Sequence, residues 1–386
     1  MKVQQLLISR GLLGFAVSLL AMGRAQAQIS INGGELYVLQ DGSGTTATYQ
    51  DGGGSIAAGS GEGSPIFIDQ FTTSANGLVA QTAVPTTATA GVGLLTAGDS
   101  AQDGQLYYDT VGNDFVFAGY SGTAVNASKS MAAADLRTVN SSGAFSMAVQ
   151  SSGAEFTGSS GLIRAGTTDG NGNYWASGTG ANGSQEGIWY YNSSAPSQLV
   201  AGIAGRSLGL YSGNLFYTTG SGTAGLYMIA GTPTSGAQTP TLLASTSGSP
   251  YGFFFNNAMT ALYIANESGG IQKWTFNGSS WSLAYTLDSS VDFDWVTANF
   301  SGANPVLYAT SGAGTSGNSI YTITDTGSGS AATILDTISA SGTDSGDFDG
   351  IVFIQPVPEP SIYALAGLGL GGMFFLGNWR RRVGKA

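Results

Sequence analysis

The sequence predicts an all-β chain, and three observations carry that reading. Gly accounts for 61 of the 386 residues and charged residues for only 9%, yet aromatics make up 11%, too many for a disordered Gly/Ser polymer. Short aromatic strands joined by Gly-rich turns satisfy both facts. A unit of aromatic strand, small-residue loop and second strand recurs in the second half, and helical periodicity is missing. Ser130–Val139 is the one helix candidate, and it is short.

The repeat narrows the architecture. NYWASGTGANGSQEGIWYYN, NLFYTTGSGTAGLYMIA, ALYIANESGGIQKWTFNG and VLYATSGAGTSGNSIYTIT share one plan. With Trp175, Tyr217, Tyr263 and Tyr308 as anchors the spacings are 42, 46 and 45, and Phe117 fits 58 residues earlier. A period near 45 matches the four-stranded blade of a β-propeller, roughly 40–50 residues each. A parallel β-helix repeats at about half that length, and a sandwich does not repeat. Residues 29–354 divided by the period predict about seven blades, with six as the alternative. Each blade buries its aromatic side chains only against neighbours, so the ring has to close.

In chain order, Met1–Ala27 reads as a secretory signal peptide. Lys2 and Arg10 form its basic start, Gly11–Met22 its apolar core, and Ala25 and Ala27 an A-x-A signal peptidase site. The body, 28–355, begins with strand candidates Glu35–Gln40, Pro65–Phe71, Leu78–Val84 and Gln105–Asp109. Asp114–Tyr120, Gly187–Tyr191 and Asn214–Thr218 follow, and Asp347–Ile354 is the natural partner of Glu35–Gln40 for ring closure.

Residues 356–386 stand apart. Pro358, Glu359 and Pro360 cannot continue a strand, because two of the three lack an amide proton. Ile362–Trp379 is an uncharged run of 18 residues, near the shortest that spans a bilayer as a transmembrane helix. Arg380, Arg381, Arg382 and Lys385 form a basic stop that the positive-inside rule places in the cytoplasm. Hydropathy alone fits an ordinary C-terminal anchor equally well.

The order of these parts resembles the PEP-CTERM sorting signal of Gram-negative and related bacteria. Val357, Pro358, Glu359 and Pro360 match its V-P-E-P motif, followed by a glycine-rich apolar stretch and an Arg cluster. The resemblance implies recognition and removal of the tail by exosortase, a membrane transpeptidase-like enzyme. It also implies transient inner-membrane anchoring, then the cell surface or an exopolysaccharide matrix. The body is similar to propeller-like proteins that carry this tail.

Charge and composition exclude several functions. All 23 acidic residues lie between Glu35 and Glu359, and only five cations accompany them there: Lys129, Arg137, Arg164, Arg206 and Lys273. The segment from Glu35 to Glu359, with a net charge of −18, repels phosphate backbones, which argues against nucleic-acid binding. Cys and His are absent, so a thiolate nucleophile, a Cys or His zinc site and a Ser-His-Asp triad are excluded, and no cofactor is expected.

Several clusters invite a functional reading. Asp169-Gly-Asn171-Gly-Asn173 starts like a calcium loop, but Tyr174 stands where Gly belongs and Gly180 where a bidentate Glu belongs, so a hairpin turn is expected. Asp288, Asp292 and Asp294, and again Asp344, Asp347 and Asp349, are expected at loop tips on successive blades, with calcium ligation or glycosidase chemistry as alternatives. Trp175, Trp189, Trp274, Trp281 and Trp295 read as blade core before sugar platform. Gly367 and Gly371 place a G-x-x-x-G spacing in the tail. The expected function is a non-enzymatic surface or matrix protein that binds polysaccharide or other surface proteins. A secreted, carboxylate-dependent glycan hydrolase or lyase is the rival.

Overall fold

A computed structural model of the chain describes residues 29–41, 64–84, 95–96, 104–120, 134–140, 143–150, 154–157, 161–192, 195–267, 269–311, 318–338 and 347–356. The signal peptide, the V-P-E-P motif, the stretch 362–379 and the basic stop lie outside these residues. No helix among the described residues is long and apolar enough to cross a membrane.

Among the described residues all regular structure is strand. The first part of the chain supplies β1 (Leu36–Asp41), β2 (Ser64–Phe71), β3 (Leu78–Ala83), β4 (Leu95–Thr96), β5 (Leu106–Asp109), β6 (Asp114–Tyr120), β7 (Ala134–Asn140) and β8 (Phe145–Gln150). Four regular units follow. They are β9 (Leu162–Thr168), β10 (Tyr174–Thr179), β11 (Gly187–Tyr191) and β12 (Ser197–Val200); then β13 (Gly205–Tyr211), β14 (Asn214–Thr219), β15 (Gly225–Ile229) and β16 (Thr241–Ser245). Next come β17 (Pro250–Phe255), β18 (Ala261–Asn266), β19 (Ile271–Phe276) and β20 (Trp281–Leu287), then β21 (Phe293–Asn299), β22 (Val306–Ser311), β23 (Asn318–Thr324) and β24 (Thr333–Ile338). The last strand, β25 (Asp347–Phe353), returns to β1 with Leu36 opposite Phe353 and Val38 opposite Ile351, the predicted closure.

The described strands form five sheets, four of four strands and one of nine. The nine-stranded sheet holds two four-stranded halves, β25-β1-β2-β3 and β5-β6-β7-β8, bridged by the two-residue β4 between β2 and β6. The expected seven separate blades are therefore not present: the propeller has five hydrogen-bonded sheets, the largest double. The count of seven fails because β4 pairs with both β2 and β6 and so joins two four-stranded groups into one sheet. Ser130–Val139 is corrected too, since Ala134–Asn140 pairs with both β6 and β8 as a strand. Pairing on both sides overrides the weak helical preference of this Ala-rich run.

Six buried apolar clusters lie between consecutive groups around the ring. The anchors Phe117, Trp175, Tyr217, Tyr263 and Tyr308 all fall on the second strand of a four-stranded group and are buried. That strand has a partner on each side and neighbouring sheets on both faces, so its large side chains are excluded from water.

Candidate functional site

The strands β5, β9, β13, β17, β21 and β25 begin the successive groups and pack one on the next around the axis. Five of the six carry a β-bulge near their start. In β9, Ile163 and Ala165 face the consecutive residues Gly178 and Ser177, which leaves Arg164 over. In β21, Asp294 is left over in the same way between Phe293 and Trp295. The extra residue falls at Arg206–Ser207 in β13, Tyr251–Gly252 in β17 and Asp349–Gly350 in β25. A bulge turns a side chain out of the alternating pleat, so these positions escape the rule that puts every second residue into a blade.

The backbone that leaves the ladder is recovered by the preceding blade. Ser177 Oγ donates to the Arg206 carbonyl (2.9 Å), Thr218 Oγ1 to the Tyr251 carbonyl (2.7 Å) and Thr310 Oγ1 to the Asp349 carbonyl (2.8 Å). Gln105, at the start of β5, joins the ring through both atoms of its amide. Its Nε2 donates to the Leu208 carbonyl and its Oε1 accepts from the Leu208 amide. Arg206 lays its guanidinium over Tyr251, 4.1 Å from the ring centroid, and donates to Ser249 Oγ and the Pro250 carbonyl. Burial drives the Tyr251 phenol pKa up against the pull of Arg206 and Arg164, so it stays protonated. Arg164, Tyr251, Asp294 and Asp349 are buried.

Just past the bulges the axis opens into a cavity of about 550 Å³. Ser207 and Gly252 line its buried floor, whereas Thr110, Asn257 and Gln355 at its rim are exposed, so it opens at the C-terminal ends of the inner strands. Tyr107, Tyr108, Tyr211, Phe253, Phe254, Trp295 and Phe353 supply aromatic walls. Among the described residues no Asp, Glu, Lys or Arg lines it. Desolvation raises the phenol pKa of Tyr107 and of Tyr211, leaving neutral O–H groups rather than bases. The indole Nε1 of Trp295 has no hydrogen-bond acceptor although the residue is buried. Aromatic faces with neutral hydrogen-bonding groups suit a polar, uncharged ligand; they offer nothing to a phosphate.

The sequence-derived candidates separate. Asp169–Asn173 is the expected hairpin turn, with Asp169 accepting from the Asn171 amide (2.9 Å) and Asn173 Nδ2 (2.8 Å). The loop-tip expectation for the acidic clusters holds for Asp288 and Asp292, in the turn between β20 and β21, and is corrected for Asp294 and Asp349. Asp294 and Asp349 lie buried on neighbouring inner strands, Asp288 ties a turn to the Ala332 amide, Asp292 is exposed, and Asp344 falls outside the described residues. Among the described residues no group of three or more acidic side chains is placed to hold a metal ion. Trp175, Trp189 and Trp274 are buried and Trp281 half-buried, which is core packing; Trp295, also buried, is the one of the five that lines the cavity. Sequence reasoning singled out none of Gln105, Arg164, Arg206 and Tyr251. A signal was there: Arg164, Arg206, Tyr251, Asp294 and Asp349 follow one another at 42, 45, 43 and 55 residues, near the anchor period.

The last described residue on the axial strand's exit is Pro356, and there a family match begins. Residues 356–382 are a PEP-CTERM protein-sorting motif. Such a motif implies an exported protein held at the membrane, sorted by exosortase and delivered to the surface. No curated protein matches the chain. Among solved structures, a candidate 6-phosphogluconolactonase from Bacteroides fragilis aligns over 79% of this chain and 82% of its own at 14% identity and a TM-score of 0.46. A second such candidate, from Bacteroides uniformis, aligns over 80% and 84% at 12% identity and a TM-score of 0.43. A gluconolactonase from Xanthomonas campestris aligns over 57% and 86% at 15% identity and a TM-score of 0.37. Likenesses this distant carry no argument about what this chain does.

Proposed function

We propose that this is an exported, exosortase-sorted surface protein whose propeller is a binding body, with the axial cavity taking a neutral saccharide unit of the surrounding polysaccharide. The observation that carries the binding half is the lining: among the described residues it has seven aromatic side chains, neutral amides and hydroxyls, and no acid or cation. Aromatic faces stack on the apolar faces of sugar rings while amides and hydroxyls meet the ring's own hydroxyls. The sorting half rests on the motif at 356–382. Under this reading Val357–Pro360 are the recognition element, Arg380–Arg382 the cytoplasmic stop, and Ala25 and Ala27 the signal peptidase site.

Binding of polysaccharide fragments to the processed protein, followed by calorimetry, tests the pocket. Phe254→Ala and Asn257→Ala are expected to weaken binding about tenfold each, the loss of roughly 1.4 kcal/mol. Unchanged affinity in both would move the binding surface elsewhere. The second reading, a glycan-cleaving enzyme, is favoured by Asp294 and Asp349, two carboxylates buried beside the cavity floor. Release of new reducing ends that stops in Asp294→Asn or Asp349→Asn would replace the binding reading with the enzymatic one.

A further inference from the structure

One polar side chain crosses the ring where the neutral cavity meets the charged bulges. Gln105 stands just before β5, and its backbone is held between the two neighbouring inner strands. The Gly350 amide of β25 donates to the Gly104 carbonyl (2.9 Å), and the Gln105 amide donates to the Arg164 carbonyl of β9 (3.2 Å). The side chain goes one strand further. It passes β9 and bonds Leu208 of β13 in both directions, Nε2 donating to the carbonyl (2.5 Å) and Oε1 accepting from the amide (2.8 Å). Two bonds to one residue fix both the position and the plane of the amide, as a pair of ladder bonds would. Gln105 is buried and forms part of the cavity wall. Charged side chains lie behind it, on the side away from the mouth. A side chain at Gly104 would begin 2.5 Å from Asp349 Oδ2, so that carboxylate fills the space one residue further in. Arg206, two residues before Leu208, is tied to Ser249 and the Pro250 carbonyl at the start of β17. Arg164 of β9 acts on the phenol of Tyr251 on β17, so its cation also reaches past a neighbouring strand. None of these three lines the cavity.

We infer that Gln105 is the specificity-determining residue of the axial pocket: its amide partitions the axis, so that a ligand in the cavity meets neutral groups while Arg164, Arg206 and Asp349 stay behind it. The consequence for ligand choice rests on the reading of the cavity as a saccharide site. A carboxylate or ammonium on a sugar unit would give up its water against walls that offer no counter-charge, a loss that a hydroxyl does not suffer. The discrimination is set by one side chain and not by a lack of charge along the axis. Cutting Gln105 back therefore opens the floor onto groups of both signs, and a charged unit then finds a partner there.

The full chain in detergent micelles, as wild type, Gln105→Gly and Gln105→Met, tests the partition. Phenylglyoxal, a small neutral reagent for guanidinium groups, is followed at Arg164 by peptide mass spectrometry. Arg164 is expected to react about tenfold faster in Gln105→Gly than in wild type, because a buried group reacts only as far as it is uncovered. Gln105→Met keeps the bulk without the hydrogen bonds and should hold the wild-type rate. Equal rates in wild type and Gln105→Gly would overturn the inference. Fast reaction in both variants would overturn it too, since that is the mark of a loosened fold. Calorimetry with a neutral glucose oligomer and its glucuronate and glucosamine counterparts reads the ligand choice. Relative to the neutral oligomer, at least one charged counterpart should gain about tenfold in affinity in Gln105→Gly and nothing in Gln105→Met. Unchanged ratios for both would overturn the role of Gln105 in specificity. A wild type that binds no oligomer, with Arg164 labelled as expected, would strike the saccharide reading and leave the partition standing.

Discussion

The nine-stranded sheet and the regular four-stranded sheets bury carboxylates in opposite ways. Asp69, on β2, is almost fully buried and has no cation beside it among the described residues. Burial, with Gln81 resisting and Asp336 adding to it, pushes its pKa up to about 7. On β6, burial and the neighbouring Asp109 raise Asp114 to about 6. Asp325, between the sheets of β17–β20 and β21–β24, is also buried. It accepts from Tyr263, from Lys273 Nζ (2.7 Å) and from Tyr285 (2.7 Å), and these donors outweigh desolvation and hold its pKa below the usual range. The difference teaches what a shortage of cations does. With five in the whole body, Asp325 is given Lys273 and two phenols, whereas burial shifts Asp69 toward its protonated form.

The largest effect should come from erasing the contrast. Lys273→Met leaves Asp325 buried beside two phenols and should cost about 3 kcal/mol at neutral pH. It should also raise the Asp325 pKa, so the variant's deficit shrinks in acid, which urea melts at pH 4 and pH 8 would read. Asp69→Asn is the reverse case. A carboxylate whose folded pKa is raised contributes stability present below its unfolded pKa near 4 and lost as pH rises through about 7. Wild type should therefore weaken between those values. The amide variant should weaken less and be more stable by about 2 kcal/mol at pH 8. An unchanged pH profile would show that Asp69 is solvated.

Tyr263→Phe removes one donor from Asp325 and should cost about 1 kcal/mol at pH 7. Because the Asp325 pKa is lowered, that contribution is present above its unfolded value and lost as pH falls through the folded one, so the cost should vanish in strong acid. The smallest effects are expected on the outer faces of both regions. Leu78 on β3 and Ile334 on β24 are exposed, and replacing either by Thr should change stability by no more than about 0.5 kcal/mol. A larger loss at Leu78 alone would mean that the nine-stranded sheet packs against something through β3.

The parts of the fold that a linear pattern encodes were legible. Asp114–Tyr120 and Gly187–Tyr191 are strands with the predicted ends, and all five anchor residues took equivalent places, because second strands are buried on both faces and tolerate only large apolar side chains there. The blade count was not legible, since β4 contributes two residues to the ladder yet joins two groups into one sheet. The ring of Arg164, Arg206, Tyr251, Asp294 and Asp349 was hidden for a related reason. A bulge shifts the register by one, so a residue read as facing one side of a strand is aimed elsewhere. The sorting motif is the opposite case: its Pro-Glu-Pro step, apolar run and Arg cluster are contiguous, and nothing about them depends on the fold.

The pairing of Leu36 with Phe353 also sets the order of events during folding. A chain is made amino terminus first, so β1 is in place long before β25. Until residue 353 emerges, β1 has a partner on one side only, and the ring is a horseshoe with open strand edges. Closing it joins residues at opposite ends of the body, the slowest kind of contact to form. Completion of the fold therefore waits for the last described strand, and a chain that pauses before it presents open edges to other chains.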